Sequence, residues 1–200
     1  MNSPEKKMHD AILLEIKESA ETTIRSREII AAAILETAPR CVQALQSGCK
    51  ILIAGNGGSA ADAQHFAAEL TGRYRRTRRG LAAIALTTDT SFLTAWTNDI
   101  GYDAVFSRQL EAIGKSGDIF IGISTSGNST NIHYAINKAI ELGIITILLT
   151  GQSGGAMHGI ADIEVNVSAT ETSRIQEVHI LFFHLLAEYL DARFTTDEAQ

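Results

Sequence analysis

Ile119-Phe120-Ile121-Gly122-Ile123 runs straight into Ser124-Thr125-Ser126-Gly127-Asn128-Ser129-Thr130, and this stretch decides the fold. The first five residues carry no polar alternation, the pattern of a strand buried on both faces in a parallel sheet covered by helices. The next seven are small and rich in hydroxyls, and they open a helical stretch. A second patch of like design stands upstream. There Ile51-Leu52-Ile53-Ala54 leads into Gly55-Asn56-Gly57-Gly58-Ser59-Ala60-Ala61, again at the start of a helical stretch. Glycine lets the backbone come close to a ligand, helix N-terminal amides face an anion, and hydroxyls donate hydrogen bonds. Ser124, Thr125, Ser126 and Ser129 come with no fixed positive charge. That suits a sugar phosphate monoester better than a triphosphate, for which a P-loop lysine is expected.

Working outward, strands are predicted at 51–54, 82–86, 118–123, 144–149 and 163–167. Helices are predicted at 59–70, 90–97, 102–112, 129–141 and 173–192. This alternation predicts an α/β three-layer sandwich of flavodoxin-like type, with a five-stranded parallel sheet flanked by helices. Ligands in such a sheet collect at the carboxyl ends of the strands, where both patches lie. The front of the chain differs. Ser3-Pro4-Glu5 reads as an N-cap, a proline at the first helical position and a first-turn acid. Leu13, Leu14, Ile16 and Ile24 mark one helix to about the mid-twenties. Ile29, Ile30, Ala33, Ile34, Cys41, Val42 and Leu45 mark a second that stops near Ser47-Gly48. Residues 1–48 are thus expected as an N-terminal helical pair within the same domain as 49–194, offering an oligomer interface.

Two hundred residues suit one domain with a sizeable core. With 23 acidic and 17 basic side chains the net charge is −6, so counterion release gains little and no nucleic-acid partner is expected. The polar, charged start and the absence of a bilayer-length apolar run predict no membrane partner and a cytoplasmic location. Cys41 and Cys49 sit in or just after one helix, poorly placed for a mutual disulfide, and are expected as free thiols.

His65 and Glu69 are four apart on the helix that starts at the first patch, and so share a face. The last helix carries Gln176 and His184, eight residues or roughly 12 Å of rise apart. Their faces differ modestly, so both reach towards one ligand. His179 points elsewhere and is expected to be packed. A carboxylate and an imidazole facing a bound sugar phosphate can move protons between neighbouring carbons, as aldose–ketose isomerisation requires. His65, Glu69, Gln176 and His184 also form a borderline zinc set of two nitrogens and two oxygens. For Glu69 and His184, metal ligand and proton shuttle both stand at this stage. Asn98-Asp99 reads as a helix-ending turn, or as donor and acceptor for sugar hydroxyls. In Arg73-Tyr74-Arg75-Arg76-Thr77-Arg78-Arg79, residues 75–79 are expected as a solvated loop, and Arg73 lies nearest the site helix.

Gly55-Asn56-Gly57-Gly58-Ser59, His65-Phe66-Ala67-Ala68-Glu69-Leu70-Thr71-Gly72-Arg73, Asn98-Asp99, Ser124–Ser129 and Arg174-Ile175-Gln176-Glu177 together resemble the sugar isomerase (SIS) domain family, and within it the isomerases of heptose phosphates. The resemblance covers about residues 10–192 and makes 49–194 the SIS domain. It implies conversion of sedoheptulose 7-phosphate to glycero-manno-heptose 7-phosphate, the first step towards the heptose of bacterial lipopolysaccharide, by a homotetramer with shared sites. It further implies one Zn2+ per subunit on His65, Glu69, Gln176 and His184, with Glu69 as base and His184 as acid. Substrate contacts are implied at Asn56, Gly57, Gly58, Ser59, Glu69, Asn98, Asp99, Ser124, Thr125, Ser126, Ser129 and Gln176. Ser173 stands where some of these isomerases carry an aspartate. A close relative that binds the bacterial replication initiator lacks equivalents of Glu69 and His184, which this chain keeps. A non-catalytic module binding a phosphosugar or that initiator is the alternative.

Overall fold

The computed structural model describes residues 3–195. Its elements are α1 (Pro4–Gln46), β1 (Ile51–Gly55), α2 (Gly58–Thr71), β2 (Ala83–Ala85), α3 (Thr90–Asp99), α4 (Val105–Ile113), β3 (Ile119–Ile123), α5 (Thr130–Glu141), β4 (Ile145–Thr150), β5 (Ile163–Asn166) and α6 (Thr172–Phe194). All five strands pair in parallel in the order β2-β1-β3-β4-β5. The chain leaves β1 for β2 on one side and returns to β3 on the other. That reversal makes the carboxyl ends of β1 and β3 the switch point where ligands settle in such sheets. Register sets Gly55 opposite Ile123, so both glycine- and serine-rich turns leave the sheet side by side.

Every residue of β1 and β3 is buried, as their unbroken apolar character requires. Ile53, Ile121 and Ile147 pack on one side with Phe66, Leu70, Phe182, Phe183 and the second half of α1. Leu52, Phe120 and Leu148 pack on the other with Phe106, Leu110, Ile132 and Ile136. Each such side chain contributes about 1.5–3 kcal/mol of burial, and the two clusters are the two interfaces of a three-layer sandwich.

The expected N-terminal helical pair is a single helix of 43 residues. It begins as read, with Ser3 Oγ accepting from the Lys6 backbone N–H and Pro4 in the first turn. At the expected break, Arg25-Ser26-Arg27 holds no glycine or proline and Ser26 is fully buried, so nothing ends the helix there. Pro39 lies inside it and removes only its own N–H, the one directed at the Leu35 carbonyl. The helix stops at Ser47-Gly48, where Gly48 takes φ +73°. Its second half packs on α6 and β5. In its first half Met8, Ile12, Leu13, Leu14, Ile16 and Ile24 are exposed. Cys41 and Cys49 are free and buried, and burial pushes the Cys41 thiol up to about 12. A 3-10 turn at Gly155–Met157, which carries no apolar period, lay outside the sequence reading. Among the described residues no helix is long and apolar enough to cross a membrane.

Candidate active site

A cleft of about 300 Å³ opens at the switch point, lined by Asn56, Gly57, Gly58, Ser59, Ser124, Thr125, Ser129, Thr172 and Gln176. α2 and α5 both start here without a side-chain cap, which leaves first-turn N–H donors for a ligand. Gly57 precedes α2 with φ +56° and ψ −120°, a conformation that favours glycine. Ser124 is buried at the end of β3, and its Oγ lies 2.8 Å from Ser129 Oγ, which fixes two hydroxyls on one side of the cleft. Asn56 and the buried Asn131 exchange side-chain amide hydrogen bonds of 3.0 and 2.9 Å. The Tyr102 hydroxyl donates to the same Asn56 oxygen at 3.0 Å. Gly127, at φ +68°, lets the serine turn pack on the 3-10 turn, since a Cβ there would lie 1.9 Å from the Gly154 carbonyl oxygen.

From this cleft α2 and α6 run side by side in the same direction. Gly58 meets Gln176 at the cleft end, and Phe66 stacks on Phe183 further along. At that far end His65 Nε2 and His184 Nε2 face each other at 3.1 Å, with Glu69 Oε1 3.4 Å from His65 Nε2. Tyr74 lays its ring over His184, centroids 5.6 Å apart and planes 18° from parallel. Asp62 lies one turn before His65. Burial pushes its carboxyl up to about 6 against the opposing pull of His65, and its Oδ2 has no hydrogen-bond partner.

Among the described residues no group of three or more His, Cys, Asp or Glu side chains is closed around one point in metal-holding geometry. The donor chemistry nonetheless suits zinc. The 3.1 Å between the two imidazole nitrogens is close to the ~3.3 Å edge of a tetrahedron with bonds near 2.05 Å. Glu69 adds a carboxylate oxygen beside them.

The structure thus brings the sequence-picked residues into two groups. Asn56, Gly57, Gly58, Ser59, Ser124, Thr125, Ser129 and Gln176 line the cleft; His65, Glu69 and His184 cluster beyond it. Three others stand apart from the lining. Ser126 is exposed and accepts from the Asn128 N–H. Asn98 and Asp99 form the exposed last turn of α3, where Asn98 Nδ2 donates to Asp99 Oδ1. His179 is fully buried as expected, with its Nε2 3.2 Å from the Thr150 carbonyl oxygen. Burial lowers its imidazole to about 4 despite that hydrogen bond.

One expectation is overturned. Residues 75–79 do not all face solvent, because the Arg78 side chain is fully buried against an equally buried Asp191, Nε to Oδ1 2.6 Å. The four arginines of 75–79, read as a solvated loop, hid one that folds inward to a partner more than a hundred residues away. The site contacts of Asn131, Tyr102 and Tyr74 also escaped the sequence reading, since each depends on a partner far away in the chain.

Residues 16–151 match the SIS domain family. The chain is 53% identical over 184 residues to the phosphoheptose isomerase of Aliarcobacter butzleri, covering 92% of this chain and 97% of that protein. It is 48% identical to a Helicobacter pylori phosphoheptose isomerase, covering 92% and 96%. Among solved structures, the phosphoheptose isomerase of Neisseria gonorrhoeae superposes with TM-score 0.87 at 44% identity, covering 92% of this chain and 99% of that one. The enzyme of Francisella tularensis superposes with TM-score 0.89 at 37% identity, covering 92% and 98%.

Proposed function

This chain belongs to the SIS domain family and, within it, to the phosphoheptose isomerases, and from that membership we propose that it converts D-sedoheptulose 7-phosphate to D-glycero-D-manno-heptose 7-phosphate. The observation that carries the reading is the layout of the two groups. A cleft lined by hydroxyls and helix-start amides lies at one end of the α2–α6 contact, and a carboxylate–imidazole cluster lies at the other. Gln176 and His184 are separated by about 12 Å of helix, a span that an extended seven-carbon phosphate can bridge.

In this reading Ser124, Thr125, Ser129 and the first-turn amides of α2 and α5 hold the phosphate, with Asn56 and Gln176 on the sugar hydroxyls. Asn98, Asp99 and Ser126 join when substrate or a neighbouring subunit closes on them. Glu69 takes the proton from C1 of the ketose while His184 protonates the C2 oxygen, giving an enediol. Glu69 then returns the proton to C2 and His184 removes the one on O1, which leaves a C1 aldehyde and both side chains as they began. Zinc held by His65, Glu69 and His184 would supply positive charge that polarises the sugar oxygens, while Gln176, in the cleft at the other end of the α2–α6 contact, faces the sugar instead. The product would enter heptose synthesis for lipopolysaccharide in the cytoplasm. The exposed apolar residues in the first half of α1 support assembly into the homotetramer.

The test is turnover of sedoheptulose 7-phosphate beside a panel of hexose and pentose phosphates, by wild type and Glu69→Gln, with and without zinc. Turnover confined to the heptulose and lost in the variant supports the assignment. Phosphosugar binding with no turnover under any metal condition overturns it in favour of a non-catalytic module. Unchanged turnover in Glu69→Gln removes Glu69 as the base.

A further inference from the structure

The loop after α2 carries a set of contacts that the isomerase reading leaves unused. Arg78 buries its guanidinium at the C-terminus of α2 and donates to the carbonyls of Glu69 at 2.9 Å, Leu70 at 2.9 Å, Gly72 at 3.3 Å and Arg79 at 3.0 Å. Two of these are last-turn carbonyls of α2 that lack a partner further along the helix, and a cation there also suits the helix dipole. Its Nε is held by Asp191, on α6. The other Asp191 oxygen accepts the backbone N–H groups of Arg75 at 2.7 Å and Arg76 at 2.8 Å. Burial opposes ionisation of Asp191, but these two N–H donors and the guanidinium outweigh it and hold the carboxyl below its usual range. Glu188, one turn earlier on α6, pairs with both Arg75 and Arg76 at 3.3 Å.

A buried ion pair adds little to stability by itself, so what this one fixes matters more. It fixes two things. Through Arg78 it ties down the turn of α2 that bears Glu69. Through the Arg75 and Arg76 amides it sets the backbone beside Tyr74, whose ring lies against His184, and the Arg75 guanidinium lies over that ring at 5.0 Å. One clasp therefore reaches both members of the proton-transfer pair.

We propose that Arg78, Asp191 and Tyr74 are positioning residues for Glu69 and His184: the Arg78–Asp191 clasp holds the loop that presses Tyr74 onto the His184 ring. The inference rests on the isomerase reading for its kinetic consequence and on geometry alone for its structural one. The substitutions are Tyr74→Leu, Tyr74→Phe and Asp191→Asn, and the loop needs no Tyr74 hydroxyl in any of these contacts. Tyr74→Leu is expected to lower kcat by roughly 10–100-fold, the range seen when a residue that orients a ligating or catalytic group is lost. KM should hold, because the phosphate cleft lies at the other end of α6. Tyr74→Phe should keep wild-type turnover. The second readout needs no turnover and no added metal. In spectra of protein carrying 13C-labelled histidine, the His184 ring resonance should move and broaden in Tyr74→Leu and in Asp191→Asn, and stay in place in Tyr74→Phe.

A Tyr74→Leu variant with kcat within twofold of wild type and an unmoved His184 resonance overturns the proposal. So does a Tyr74→Phe variant as impaired as Tyr74→Leu, which would place the role in the hydroxyl. If wild type fails to turn over heptulose phosphate, the isomerase reading falls, and the His184 spectra alone decide whether the clasp positions that ring.

Discussion

His65 and His184 bring their Nε2 atoms to 3.1 Å across the α2–α6 contact, although 119 residues of chain separate them. At that distance either one ring nitrogen donates to the other or both turn lone pairs towards a shared cation. Both options put the His184 imidazole, the proposed acid, in a defined place, with Glu69 on the same helix face as His65. Replacing His184 with Asn should therefore lower kcat by roughly 10²–10⁴-fold, the usual contribution of a positioned acid–base group. Affinity for inorganic phosphate should stay near wild type, because His184 is not among the residues that line the cleft. Steady-state kinetics beside phosphate titration calorimetry separate the two effects, and a variant that loses both would unite the cleft and the imidazole cluster into one indivisible site.

The same pair makes a prediction about zinc that does not need activity. A ligand that binds the folded chain alone raises stability by RT ln(1 + [L]/Kd), about 2.7 kcal/mol at a hundredfold excess over Kd. Zinc added to purified wild type should raise Tm, and the rise should disappear in a His65→Asn, His184→Asn double variant. An equal rise in both proteins would mean that zinc binds elsewhere.

Gly58 in the cleft and Gly127 in the serine turn beside it should respond differently to one methyl group. At Gly58 an added Cβ meets the Gln176 amide nitrogen at 2.5 Å, the far end of a flexible side chain that can swing away. Gly58→Ala should fold with Tm near wild type but raise KM, because Gln176 leaves its place. At Gly127 the methyl meets the Gly154 carbonyl oxygen at 1.9 Å, and the residue holds φ +68°. Backbone cannot swing away, so Gly127→Ala should cost on the order of 2–3 kcal/mol, read as a lower denaturation midpoint. If Gly58→Ala instead proved the less stable of the two, the close approach of α2 to Gln176 would be rigid rather than adaptable.

Much of this architecture was legible because it rests on local pattern. The apolar runs at 51–54 and 119–123 read as strands buried on both faces, and the glycine and serine patches after them mark strand-to-helix turns. Strand 163–167 and helix 173–192 follow from the same alternation. What stayed hidden depends on contacts across the chain. The single helix α1 reads as two in sequence because its buried Thr22, Ser26 and Thr37 carry no apolar signal across the middle. Arg78 looked like its neighbours until Asp191 was placed beside it. Tyr102 and Asn131 meet Asn56 only when three separate elements converge. Gln176 and His184 share α6, yet they stand at opposite ends of its contact with α2.

The exposed apolar residues on α1 give the assembly a direct test. Met8, Ile12, Leu13, Leu14, Ile16 and Ile24 are exposed along the first half of that helix. Leu13→Glu with Ile16→Glu should leave the fold intact and lower the sedimentation coefficient from that of a tetramer. A wild-type chain that sediments as a monomer would show that this face is covered by something other than a second copy.

His179 should govern acid stability. Its imidazole sits fully buried against the Thr150 carbonyl, with Nδ1 lacking a partner, and burial lowers it to about 4. Below the ordinary value of 6.5 the unfolded chain takes up a proton that the folded chain refuses. The contribution is thus complete above pH 6.5 and is lost as pH falls through 4, reaching about 3 kcal/mol. Asp62 acts with the opposite sign. Burial raises its carboxyl from 3.8 to about 6, so the folded chain holds a proton that the unfolded one releases, and stability is lost as pH rises through 6. The two slopes oppose each other over the same range, which flattens the wild-type profile. Comparing wild type with His179→Gln cancels the Asp62 effect, since both proteins keep it. The difference in unfolding free energy between them should shrink in favour of the variant by up to about 3 kcal/mol from pH 7 to pH 4, measured by urea denaturation at each pH. A difference that stays constant across that range would mean that His179 takes up its proton inside the fold as readily as in the unfolded chain.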